Sequence, residues 1–182
     1  GASGGIGKAI TNTLNQANDI QTLYLFGRTE PDMRPTNNTF IQVDITDESQ
    51  IGRAAQHVKK DGPLDMVLVL TGLLHGENIA PEKRARDISI TDFQDSFAVN
   101  CFGPALIGKH FLPLMRRDAK TAFAALSARV GSISDNRLGG WYAYRASKAA
   151  LNMVVRCSAI EIQRNRPDSV LVSLHPGTVA TT

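Results

Sequence analysis

The chain has 182 residues, 42% hydrophobic and 20% charged, with a formal net charge of +3. This is the balance of one soluble domain long enough to bury a full core. The charge is too small to argue for nucleic acid without a clustered patch, and Arg84, Arg86, Arg116, Arg117, Arg164 and Arg166 are scattered. No apolar run approaches the ~20 residues of a membrane span, and no leader-like start is visible. Cys101 and Cys157 offer neither a disulfide framework nor metal-ligand spacing, so a reducing cytoplasm is the expected location, with no metal.

In chain order, "GASGGIG" runs directly into a helical pattern at Ile6, Ala9, Ile10, Thr13 and Leu14. "TLYLF" (Thr22 to Phe26) and "TFIQV" (Thr39 to Val43) read as short strands. "TDESQIGRAAQHVKK" reads as a helix, with Thr46 the expected N-cap and acids in its first turn. "MVLVL" (Met66 to Leu70) reads as a fully buried strand, and residues 73 to 90 as a polar loop or short helix. Thr91 and Gln94 suggest a capping box for a helix over roughly 92 to 115, with Pro104 a candidate kink. "TAFAALS" (Thr121 to Ser127) is a strand, "SARVGSISDNRLGG" a long loop, and Trp141 to Gln163 a helix ending before Pro167. "VLVSLH" (Val170 to His175) is the last strand, followed by Pro176-Gly177.

Strands that read as buried on both faces, alternating with helices, predict an α/β fold: a doubly wound parallel sheet of the Rossmann type, one domain over 1–182. The ligand of such a sheet sits beyond the carboxyl ends of its strands. A glycine loop belongs at such an end, so a first strand is expected ahead of Gly1, and the chain is expected to be trimmed at both ends.

Two short motifs carry chemistry. Gly1 and Gly5 would permit a tight turn and close approach to a pyrophosphate, and Gly7 close helix packing, with the helix N-terminus favouring the phosphate charge. Alone, such a turn reads equally as an ordinary loop. In "YAYRASKAA", Tyr144 and Lys148 stand four apart on one helix face. An ammonium near a phenol favours the phenolate and is expected to lower the Tyr144 pKa, suiting the phenol to proton transfer. An isolated Tyr-xxx-Lys is more often a surface pair.

Taken together, "GASGGIG", Tyr144-xxx-Lys148 on the helix after "TAFAALS", and "PGTVAT" after the last strand resemble the short-chain dehydrogenase/reductase family over nearly the whole chain. "GSISDNRLGGWYAYRASKAALNM" is most similar to its carbonyl-reductase-like branch, which includes the Sniffer and C-factor-like proteins. The resemblance implies an NADP-dependent oxidoreductase acting on a small carbonyl or secondary alcohol. Tyr144 would be the general acid, and Lys148 would hold the nicotinamide ribose and lower the Tyr144 pKa. Asn100 would hold a water of the proton relay; its plainer reading is a hydrogen bond patching a kinked helix. Gly1, Ser3, Gly5, Ile6 and Gly7 would cradle the phosphates. Asp44 and Ile45 would border the adenine, and Gly72 would allow backbone approach. Pro176, Gly177, Val179 and Thr181 would close over the nicotinamide. The end of the second strand reads Phe26-Gly27-Arg28, with no acid to repel a 2′-phosphate and a guanidinium able to meet one. NADP is therefore expected over NAD, with Ser3 assisting Arg28.

Two positions depart from the family pattern. Val69-Leu70-Thr71-Gly72 stands where Asn-Asn-Ala-Gly is usual, and Ser127-Ala128 where a serine pair is usual. The serine of the site is thus open between Ser127, taken first for its place at the strand end, and Ser132, which follows Gly131. These departures leave a second reading, a cofactor-binding sensor or signalling protein with little catalysis. Apolar residues such as Met153, Val154, Val155 and Ile160 on the last long helix predict a homodimer or homotetramer. Nothing interleaves aromatic and basic residues in the manner of a nucleic-acid surface.

Overall fold

A computed structural model describes residues 1–31, 38–76 and 80–177. The described residues hold five strands and five α-helices, in chain order α1 (Gly5–Asn15), β1 (Leu23–Gly27), β2 (Asn38–Gln42), α2 (Glu48–Val58), β3 (Met66–Val69), α3 (Ile90–Phe97), α4 (Gly103–Phe111), β4 (Ala122–Leu126), α5 (Tyr142–Gln163) and β5 (Val170–Leu174). The expected Rossmann-like α/β fold with parallel strands is the one observed.

The strands form two ladders among the described residues. β1 pairs with β2, Leu23 opposite Asn38, and β4 lies between β3 and β5, Phe123 opposite Val67 on one side and Leu171 on the other. The glycine loop joins their carboxyl ends. The Ala2 N–H donates to Phe26 O at the end of β1 (3.1 Å). A Cβ on Gly1 would stand 2.6 Å from the Leu70 carbonyl carbon just past β3, so only glycine fits there. Among the described residues, β1 is paired on one side only, with β2, and β3 on one side only, with β4. Only β4 is buried along its centre. Met66, read as part of a fully buried run, is half exposed, because β3 is paired on one side only.

Local chemistry moves several boundaries. Asp47, not Thr46, caps α2 by accepting the Ser49 (2.9 Å) and Gln50 (3.1 Å) N–H groups, while Thr46 donates backward to Asp44. Ser89, not Thr91, caps α3. The single helix expected over 92 to 115 is α3, a wide π turn at Ala98–Phe102, and α4. Pro104 has no N–H to give to the carbonyl four residues back, and the wide turn just ahead of it accommodates the break. Gly103 is obligatory there, since its Cβ would lie 2.6 Å from Ile45 Cγ1.

The core is two joined clusters. Val69, Leu112, Met115, Phe123, Ala125, Leu151, Val155, Ala159 and Leu171 fill the space between α5 and the β3–β4–β5 ladder. Val43, Ile51, Ala54, Ala55, Val58 and Phe111 pack beneath α2, and Leu64, Val67 and Ile107 touch both groups. Leu151 is fully buried, and its truncation to Ala would cost about 2–5 kcal/mol. Val155 belongs to this core and is not spare surface; Met153 and Ile160 of the same helix are exposed. Among the described residues, no helix is long and apolar enough to cross a membrane.

Candidate active site

The catalytic candidates converge where α5 crosses the end of β4. Tyr144 is in the first turn of α5 and Lys148 one turn on. Lys148 is 2% exposed, and its Nζ donates to Leu126 O at the end of β4 (2.7 Å). The same nitrogen lies over the Tyr144 ring, 5.7 Å from its centre. A Cβ on Gly72 would stand 3.6 Å from that nitrogen and 3.8 Å from Asn100 Oδ1. Tyr144, Asn100 and Gly72 thus gather around the Lys148 ammonium, although 72 residues separate Gly72 from Tyr144 in sequence.

The electrostatics differ from the expectation in one respect. Burial pushes the Tyr144 phenol above its ordinary value of 10. Burial also pulls the Lys148 ammonium down from 10.5 to about 8. The expected lowering of the Tyr144 pKa by Lys148 is therefore not what this arrangement produces: desolvation outweighs the neighbouring charge, and Lys148 spends a hydrogen bond on Leu126. At neutral pH the phenol keeps its proton, the state a general acid needs.

Asn100 lies inside the π turn and is wholly buried. Its amide makes a matched pair with the Leu73 backbone: Oδ1 accepts the Leu73 N–H and Nδ2 donates to Leu73 O, both at 2.8 Å. Nδ2 also reaches Ser96 Oγ and Ser147 Oγ (3.2 Å each), whose hydroxyls lie 3.0 Å apart, and Ser147 donates to Tyr144 O (2.9 Å). Asn100 therefore ties the segment after β3 to the helix of Tyr144, rather than patching its own helix.

The two serines have different surroundings. Ser127 is buried; its N–H donates to Leu174 O and its hydroxyl to Asn152 Oδ1, each at 2.7 Å. Ser132 Oγ accepts the Asp135 N–H (3.3 Å), a turn contact. Gly131 does not adopt a positive φ. Its smallness serves packing: a Cβ there would sit 3.0 Å from Lys148 Cβ.

In the glycine loop, Gly7 packs on Gly1, where a Cβ would come within 2.0 Å of Gly1 O. Gly5 is the exposed first residue of α1, and Ile6 is half-buried beside it. Ser3 Oγ lies 3.6 Å from the Cβ position of Gly27, beside the exposed Arg28. Asp44 accepts the Thr46 N–H (2.9 Å) and hydroxyl (2.7 Å), which hold its carboxyl below the usual range. Ile45 packs its side chain against the core, and its side chain and carbonyl oxygen both lie against Gly103. Gly177 is left-handed (φ 80°) after β5 and Pro176 precedes it. Val179 and Thr181 lie outside the described residues.

Sequence reasoning missed Glu82, Ser96, Ser147, Asn152 and Trp141. Each acts through a partner distant in sequence, and a polar residue in a loop or helix carries no local mark of that. The left-handed Trp141 (φ 54°) had a faint signal, following Gly139-Gly140 directly before the helix.

Known proteins resemble the chain in sequence and fold. Over 96 residues the chain is 42% identical to the C-signal protein of Myxococcus xanthus, covering 52% of this chain and 56% of that protein. It is 25% identical to an (S)-benzoin-forming benzil reductase of Bacillus subtilis over 183 residues, 100% of this chain and 73% of that one. The NADPH-bound carbonyl reductase from chicken fatty liver superposes with a TM-score of 0.82 at 26% identity, over 100% of this chain and 78% of that one. The chain spans only about half of the first curated relatives it matches, 53% to 58% of their length. The short chain dehydrogenase model matches residues 1–182, and the chain belongs to the short-chain dehydrogenase family.

Proposed function

We propose that the chain is the working core of an NADP-dependent oxidoreductase that transfers a hydride between the nicotinamide and a carbonyl or secondary alcohol. The convergence of Tyr144, Asn100 and Gly72 around Lys148 carries this reading. The residues present fit a dinucleotide. Gly1 and Gly7 let the loop fold closely onto Leu70 and onto itself, Gly5 stands exposed at the start of α1, and Thr71 Oγ1 is buried without a hydrogen-bond partner.

Gly1, Ser3, Gly5, Ile6 and Gly7 would hold the pyrophosphate at the start of α1, and Arg28 with Ser3 the 2′-phosphate. Asp44 and the Ile45 backbone would border the adenine. Gly72, Pro176 and Gly177 would line the nicotinamide side, with Val179 and Thr181. When bound, the reduced nicotinamide supplies the hydride to the carbonyl carbon and is itself oxidised. Tyr144 gives its phenolic proton to the carbonyl oxygen, so that the carbonyl becomes an alcohol. Lys148 steadies the resulting phenolate and would hold the ribose hydroxyls. The bound NADPH of the chicken enzyme and the benzil reductase relative support this reading. A small carbonyl substrate, a cytoplasmic site of action and a homodimer or homotetramer go with it; the exposed Met153, Ile160 and Phe102 are the surface on which copies would meet. NADPH consumption with a panel of aldehydes, ketones and diketones tests it; no turnover with any of them defeats it.

A second reading, a cofactor-binding signalling protein, is favoured by one observation. The Ser127 hydroxyl is spent on Asn152, and Ala128 has none to offer a carbonyl. NADPH binding without turnover would select it.

A further inference from the structure

The helix that carries Tyr144 begins without a cap of its own. Its N-cap position is Trp141, left-handed and with no side-chain cap, and the two residues before it, Gly139 (φ 66°) and Gly140 (φ 65°), are left-handed too. Tyr144 is the third residue of α5, in the first turn, where N–H groups lack intrahelical partners and helices fray. A chain entering through two glycines has no stiffness with which to hold that turn.

The missing partner comes from the loop after β3. Glu82 is 5% exposed. Its Oε1 and Oε2 accept the Ala143 N–H at 3.1 and 3.4 Å, and its backbone O accepts the Trp141 N–H at 2.5 Å. Gly140 lies against the same carbonyl, its Cβ position 3.3 Å from Glu82 O. One residue thus takes the amide donors on both sides of Tyr142, from 61 positions upstream. A carboxylate also suits the positive end of a helix dipole. The Trp141 ring so fixed meets the Tyr144 ring edge-on, with centres 6.3 Å apart.

Resting on the oxidoreductase reading above, we propose that Glu82 is a positioning residue: it anchors the first turn of α5 and so sets the Tyr144 hydroxyl against the substrate carbonyl. The same loop is held at its start by the pairing of Leu73 with Asn100.

The test compares the full chain with Glu82→Ala and Glu82→Gln. Trp141 is the sole tryptophan, so its emission reports this turn directly. Hydrogen exchange at the Ala143 and Tyr144 amides, acrylamide quenching of the indole, NADPH affinity, and kcat and KM for benzil are measured. In Glu82→Ala, exchange at these amides rises at least about tenfold and quenching increases. Its kcat falls at least about tenfold with NADPH affinity unchanged, because a misplacement of about 1 Å can cost ~100-fold. Glu82→Gln keeps an oxygen for the Ala143 N–H and recovers most of kcat. Should Glu82→Ala not fold, Glu82→Asp, which withdraws the carboxylate by one methylene, is expected to show the same pattern. Unchanged exchange and quenching overturn the anchor. Looser amides with unchanged kcat overturn the positioning role, as does a Gln variant as slow as Ala. If the wild type reduces no carbonyl, the oxidoreductase reading falls, and exchange and quenching alone decide the anchor.

Discussion

Lys148 Nζ stands over the ring of Tyr144, 5.7 Å from its centre, while donating its hydrogen bond to Leu126 O. The lysine is thereby fixed to the end of β4 before any ligand arrives, at the cost of burying its charge. Burial lowers its pKa from 10.5 to about 8. Between those values the unfolded chain binds more protons at this site than the folded one, so this group's contribution makes stability rise with pH from about 8 to 10.5. Below about 8 both states are charged and the penalty, on the order of 3 kcal/mol, is fully present. Lys148→Met removes it. Urea unfolding of both proteins from pH 7 to 10 is expected to show the stability difference shifting in favour of the wild type above pH 8. A difference that stays flat would show that Lys148 is not desolvated as the geometry requires.

Arg28 is exposed at the end of β1, with Ser3 beside Gly27. Loss of two charge-assisted hydrogen bonds to a 2′-phosphate is large enough to reverse a cofactor preference. The wild type is expected to prefer NADP to NAD by at least about tenfold, or ~1.4 kcal/mol. Arg28→Ala is expected to erase that margin in calorimetric titration while leaving NAD affinity nearly unchanged. An unaltered ratio would remove Arg28 from the cofactor site.

Ser127→Ala and Ser132→Ala separate the serine alternatives. A hydroxyl that donates to the developing oxyanion is worth roughly 3–4 kcal/mol. If Ser127 serves the site, its hydroxyl must turn from Asn152 to the substrate, so Asn152→Ala should leave turnover intact while Ser127→Ala lowers kcat ~100-fold or more. A comparable loss confined to Ser132→Ala would transfer the role to Ser132. No loss in either would leave the carbonyl to Tyr144 and a backbone amide.

Much of the architecture was legible because its signals are local. "TLYLF" and "TAFAALS" are short apolar runs and became β1 and β4 within a residue or two of their expected ends. The spacing of Tyr144 and Lys148 placed them on one face of α5, as found. What escaped depends on distant partners or on near-equivalent neighbours. Thr46 and Asp47 can both cap a helix, and only the turn made by Asp44 decides between them. A break near Pro104 was legible, but its form, a π turn at Ala98–Phe102 ahead of the proline, was not. Glu82 looks like one more charge in a polar loop until the uncapped start of α5 is set beside it. The direction of the Tyr144 shift was missed because spacing reports proximity, whereas desolvation depends on everything packed around the pair.

The central claim, that Tyr144 delivers the proton, is tested most directly by following NADPH oxidation at saturating cofactor with benzil for the wild type, Tyr144→Phe and Tyr142→Phe. Tyr142 lies two residues away, on a different side of the helix. The account predicts that Tyr144→Phe loses at least about 100-fold in kcat, the size of a general acid's contribution, with NADPH affinity nearly unchanged, and that Tyr142→Phe stays within about threefold of the wild type. Retained turnover in Tyr144→Phe, or equal losses in both variants, would contradict it.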